Sequence, residues 1–223
     1  MPFSDRKEAG QRLAKALLHY KGKTPVILAL PRGGVPVAAE IAEALDAPLD
    51  LLLVRKIGVP SQPELAMGAV VDGAEPLTVR NEDVIAMSGI SDKTFSEVRD
   101  RELAEIARRH QRYLGTRPPV GIEARTAIVV DDGVATGATT RAALRATRLR
   151  KPRALVLAVP VAPTETIEAL RAETDDIVCL ERYADFDAIG FYYTDFRQVA
   201  DDEVIETLSR FPPRAGKEPA RPA

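Results

Sequence analysis

Five short apolar runs dictate the fold class. "PVILAL" (25–30), "DLLLV" (50–54), "AIVV" (127–130), "ALVLAV" (154–159) and "DIVCL" (176–180) are continuous rather than alternating, the pattern of strands buried on both faces. Helical spacing fills the stretches between them. Residues 5–19 bring Leu13, Ala14, Leu17 and Leu18 to one side behind Ser4 or Asp5 as a cap, "VPVAAEIAEAL" follows the first run, and further helices are expected over 137–149 and 164–173. Strands alternating with helices imply right-handed crossovers and a parallel α/β sheet covered on both faces.

A long interruption separates the second run from the third. Its first part, residues 64–80, carries Asp72-Gly73 between two β-prone runs and predicts a hairpin. Its second, residues 91–113, places Phe95, Val98, Leu103, Ile106 and Tyr113 on one helical stripe, with Arg101, Arg108 and Arg112 opposite. Glu97 and Glu105 interleave with those arginines, so a solvated, ion-paired face is expected rather than a nucleic-acid patch. With 223 residues, 45% of them hydrophobic, the chain suffices for one large α/β domain or two small ones. The expectation is one domain over 1–212, an insertion over about 57–120, and a disordered tail over 213–223. A net charge of −2 gives no basic surplus for nucleic acid. The single cysteine, Cys179, predicts a structural thiol in a reducing compartment. No run of 18 apolar residues occurs, and a soluble, cytoplasmic protein with no membrane partner is expected. His19 and His110 offer no metal spacing.

The stretch "VVDDGVATGATT" (129–140) sets two carboxylates at a strand end and follows them with small residues. In an open parallel sheet, ligands bind beyond the carboxyl ends of the strands. There Gly133 to Thr139 can turn backbone amides inward, and a helix starting near Gly137 adds its positive end, making a phosphate cradle. Acids beside a phosphate need something between them, and the vicinal diol of a ribose 5-phosphate meets both demands. A Walker-type loop lacks its lysine here. The alternative is that Asp131 and Asp132 merely cap a turn.

These residues resemble the phosphoribosyl-pyrophosphate motif of type I phosphoribosyltransferases. "LPRGGVPVA" is similar to that family's pyrophosphate loop, and "VRKIGVP" to its basic segment, most like the adenine-type enzymes. The likeness runs from about residue 25 to 181, closest to bacterial phosphoribosyltransferases of unassigned acceptor. It implies a five-stranded parallel sheet flanked by helices, with an inserted hairpin plus long helix and a C-terminal hood. It further implies that Asp131 and Asp132 hold the ribose hydroxyls and that backbone amides and hydroxyls of Ala135, Thr136, Gly137, Ala138, Thr139 and Thr140 hold the 5-phosphate, with Gly133 and Val134 also counted as substrate-binding. Arg32, Gly33 and Gly34 would hold pyrophosphate, one glycine allowing a backbone geometry that a side chain forbids, with Arg55 and Lys56 as further candidates.

The implied reaction transfers phosphoribose from its pyrophosphate to a small nitrogenous acceptor, Mg2+ helping to hold the leaving oxygens; no residue is assigned as a metal ligand. Ala135 stands where hypoxanthine-guanine enzymes carry an acid that meets the base, and Glu64 is a candidate substitute. Phe186, Tyr192 and Tyr193, in the aromatic stretch 183–196, are either hood residues stacking on a base or core. A ligand-binding regulator without turnover is the competing class, and a homodimer would be usual for the family.

Overall fold

The computed structural model describes residues 2–73 and 76–212. Helix α1 (Arg6–Ala16) starts at Asp5, whose carboxylate accepts the Glu8 amide at 2.8 Å. Strand β1 (Pro25–Ala29), α2 (Gly34–Leu45) and β2 (Leu49–Leu51) follow. The insertion runs through β3 (Val54–Val59), β4 (Gln62–Val71), β5 (Leu77–Arg80), α3 (Glu82–Met87) and α4 (Asp92–Tyr113). The chain then returns with β6 (Thr126–Val130), α5 (Ala138–Leu149), β7 (Ala154–Pro163), α6 (Thr164–Leu170) and β8 (Asp176–Tyr183), and α7 (Asp201–Ser209) comes last.

The main sheet is parallel throughout, in the order β2-β1-β6-β7-β8, and contains all five expected strands. Alternate residues serve opposite faces. Ile27, Ile128, Val130 and Val156 face the core beneath α1, α2 and α7; Val26, Leu28, Val129 and Leu157 face Leu144 of α5 and Ile167 of α6. The chain leaves β1 toward β2 and later returns to β1's other side as β6. That reversal opens a crevice at the carboxyl ends of β1 and β6, where the loops diverge.

The expected hairpin is the β4–β5 pair, but β4 has a second antiparallel partner in β3, so the insertion holds a three-stranded sheet. "VRKIGV" hides this strand in the sequence because its charges draw the eye, whereas its Ile57 and Val59 are buried at alternate positions. Helix α4 buries Phe95, Val98, Ile106 and Tyr113 as its spacing predicts, with Leu103 partly covered. Its polar face is ion-paired: Glu105 holds Arg108 at 2.8 Å and Asp201 holds Arg112 at 2.9 Å. The tail expected to be disordered, 213–223, lies outside the described residues. Among the described residues no helix is long and apolar enough to cross a membrane.

Candidate active site

The acid motif begins where β6 ends. Leu30, just past β1, donates its amide to Val130 O at 2.9 Å, which holds the following loop beside the two acids. That loop includes a cis Pro31–Arg32 peptide and runs into α2. A Cβ on Gly33 would collide with Asp132 Oδ2, and one on Gly34 would lie 2.7 Å from Val130 O. Gly33 has φ −60°, an ordinary right-handed value. These glycines therefore answer to close approach, and the backbone geometry expected to require one of them is not what the structure uses.

The two acids have separate surroundings. Asp131 is half-buried and lines a cleft with Leu30, Pro31, Leu52, Arg55, Arg109 and Thr139. One of its oxygens accepts the Asp132 amide at 2.9 Å. Asp132 is buried and turns toward α1, where Arg6 Nε donates to its Oδ2 at 2.7 Å. Arg6 is itself fixed: it donates to Arg197 O at 2.8 Å and lies 3.9 Å over the Phe196 ring. Tyr193 donates its hydroxyl to Asp132 O at 2.6 Å. Burial pushes the Asp131 carboxyl well above the usual carboxylate range, and the Asp132 charge pushes it further. Burial raises Asp132 too, opposed by the Arg6 guanidinium.

The loop expected to hold the phosphate divides at Ala135. Gly133 and Val134 are buried, a Cβ on Gly133 would meet Ile189 at 2.6 Å, and the Val134 amide is spent on Val161 O at 3.0 Å. These two positions support the loop from beneath, which corrects their expected place in the cradle. Ala135 and Thr136 are exposed, and Thr166 fixes the turn by donating to Ala135 O at 2.8 Å. Gly137, at φ +75°, starts α5 without a side-chain cap. A helix start leaves its first amides without intrahelical partners, and in α5 these belong to Ala138, Thr139 and Thr140. The Thr139 side chain is exposed and borders the cleft, whereas Thr140 is buried.

The basic candidates are dispersed. Arg55 lines the cleft, with Nε 2.7 Å from Glu102 of α4. Lys56, the next residue on β3, bonds Glu64 at 3.0 Å and is absent from the cleft lining. Neighbouring strand residues point to opposite faces, so one of the pair had to miss the cleft. Glu64, the candidate proton acceptor, is exposed and committed to Lys56. Arg32 turns out of the cleft, 3.5 Å from Asp201, into a hollow shared with Arg112 and Gln198. Phe186 and Tyr192 stack on each other with centroids 4.9 Å apart, and buried Tyr193 packs with Phe3, so the aromatic stretch is largely a satellite core. Cys179 is partly buried and burial pushes its thiol up, away from reactivity. Arg6 and Arg109 escaped the sequence reading, since neither lies near the motif in the chain.

Fold and cleft together define an open parallel α/β protein with a cleft at its topological switch point. The phosphoribosyl transferase domain model matches residues 5–195, and the chain belongs to that family. A Mycobacterium tuberculosis protein provisionally named a phosphoribosyl transferase is 44% identical over 208 residues, in each of two strains. The match takes in 93% of this chain but 46% of the relative, so the chain spans about half the length of the curated proteins it matches. The crystal structure of TT1426 from Thermus thermophilus is 41% identical, covers 96% of this chain and 100% of its own, and superposes with a TM-score of 0.85.

Proposed function

We propose that the protein transfers the 5-phosphoribosyl group of phosphoribosyl pyrophosphate to a small nitrogenous acceptor, a nucleobase in a salvage reaction, and releases pyrophosphate. The observation that carries this reading is the convergence of Asp131, Thr139 at the start of α5, and the Pro31 loop on one cleft. The α5 amides and Thr139 take the 5-phosphate, and Asp131 accepts hydrogen bonds from the ribose diol. Asp132 reaches a hydroxyl only with the oxygen Arg6 leaves free. Arg6 and the Tyr193 hydroxyl hold the acid turn in place while the sugar becomes cation-like.

A hard oxygen donor, the Asp131 carboxylate, faces the space where a pyrophosphate would lie, and this fits a magnesium ion carried mainly on substrate oxygens and water. Magnesium, when bound, supplies neutralisation of the charge that grows on the leaving group. The cleft, about 70 Å³, is far below the ~300–1,000 Å³ of ordinary ligand pockets. The inserted strand β3 and helix α4 form the wall of the cleft that is not part of the main sheet.

Arg32, tied to Asp201 outside the cleft, is the observation that favours the competing reading of a ligand binder without turnover. The deciding experiment measures pyrophosphate release from phosphoribosyl pyrophosphate with magnesium across a panel of purines, pyrimidines and related heterocycles. Release that depends on one acceptor is expected. Tight binding with no release from any acceptor would replace the transferase reading with the binder.

A further inference from the structure

We propose that Arg109, on the inserted helix α4, is a leaving-group ligand that receives pyrophosphate jointly with Arg55; this rests on the transferase reading above. Among the described cleft-lining residues, the cationic side chains are Arg55 and Arg109, and they come from two elements of the insertion. Arg32, the arginine of the loop after β1, has its guanidinium at Asp201 in a separate hollow. Arg55 of β3 and Arg109 of α4 thus line the same cleft as Asp131 and Thr139.

The pairing around Arg109 suits a cation that changes partners. Glu105 binds two arginines: Arg108 donates from Nε at 2.8 Å and from a second nitrogen at 2.9 Å, while Arg109 uses Nε alone at 2.7 Å. Departure of Arg109 leaves Glu105 still neutralised by a bidentate partner, so the exchange strands no charge. Glu105 is held low, at about 2, by those two arginines, and stays an anion throughout the working range. Arg109 keeps its remaining N–H donors for phosphoryl oxygens even before it leaves Glu105. Ile106, three residues earlier and on the same helical face, is buried and lines the same cleft.

In the transfer, the C1–oxygen bond breaks with its electron pair going to pyrophosphate. The acceptor nitrogen's lone pair forms the new bond to C1, and the proton on that nitrogen passes to solvent. Negative charge grows on the oxygen leaving C1, and a guanidinium beside it is worth more in the transition state than in the ground state.

The test titrates magnesium pyrophosphate and ribose 5-phosphate separately into wild type, Arg109→Gln, Arg109→Lys and Arg101→Gln, an exposed arginine of the same helix, by calorimetry. Arg109→Gln is expected to weaken pyrophosphate about tenfold or more and to leave ribose 5-phosphate within about twofold. Arg109→Lys, which keeps the charge and the helix but not the fork, should fall between, and Arg101→Gln should match wild type. Unchanged pyrophosphate affinity in Arg109→Gln, or a parallel loss of both ligands, overturns the role of Arg109 while leaving the transferase reading intact. Should Arg109→Gln not fold, Arg109→Lys decides alone: wild-type pyrophosphate affinity overturns the proposal. Wild type that binds neither ligand removes the transferase reading and this proposal together.

Discussion

Asp131 carries a cost that its proposed part in holding the ribose diol would explain. A carboxyl raised by burial holds its proton in the folded chain to a higher pH than in the unfolded one. The folded state then binds more protons, so stability falls as pH climbs from the ordinary carboxylate value, about 4, through the raised native value. Asn at 131 keeps an oxygen for the Asp132 amide and removes the charge. Asp131→Asn is accordingly expected to melt higher than wild type at pH 7.5, by about 1–2 kcal/mol or roughly 2–8 °C. The gap should close toward pH 4, and ribose 5-phosphate binding should be lost. Thermal melts over pH 4–8 check this; a gap that ignores pH would show that the Asp131 charge is not the source. The motif as a contiguous run was legible because its residues are neighbours in the chain. Arg6 was not, since it reaches Asp132 from 126 residues away and nothing local marks it among the charges of α1.

Elements were legible in proportion to how local their cause is. The five strands of the main sheet announce themselves by composition, although the edge strand β8 is only partly buried, and α4 by its period, because each pattern is written within one segment. The third strand of the insertion is defined by its pairing with β4, a property of two segments. The loop between β1 and α2 shows the same limit. Its glycines were visible, but their reason lies in the acids of β6 pressed against them. Gly33→Ala would drive a methyl into Asp132 Oδ2, with the Arg6 pair behind it. The flexible end of Asp132 has to give way, so the variant is expected to fold with a loss of about 1–3 kcal/mol and to lose most of its affinity for phosphoribosyl pyrophosphate. Urea unfolding and a ligand titration on the same sample test this, and wild-type affinity would show that Asp132 need not hold its present place.

Across the whole molecule, the first residues and the aromatic segment 186–196 close on each other over the acid turn. Phe3 donates its amide to Tyr192 O and accepts from the Thr194 amide, each at 2.8 Å, and the Asp195 amide bonds Ser4 O at 2.9 Å. The Phe3 ring is fully buried, 5.4 Å from Tyr193, with the Arg12 guanidinium 4.5 Å from its centre. This small core has its own consequence for the site: it fixes Arg6 at the start of α1 on one side of Asp132 and the Tyr193 hydroxyl on the other. Phe3→Ala removes a buried ring and should cost about 3–5 kcal/mol. Because Phe3 packs in a small core that touches the sheet at β7 and β8 but not at β1 or β6, hydrogen exchange is expected to rise first at the amides of 192–195, with β1 and β6 still protected. Binding of ribose 5-phosphate should weaken in step with that local opening, as Asp132 loses its two anchors. If exchange instead rises uniformly through β1 and β6, the closure is one cooperative unit with the sheet, and the acid turn is set by the core alone.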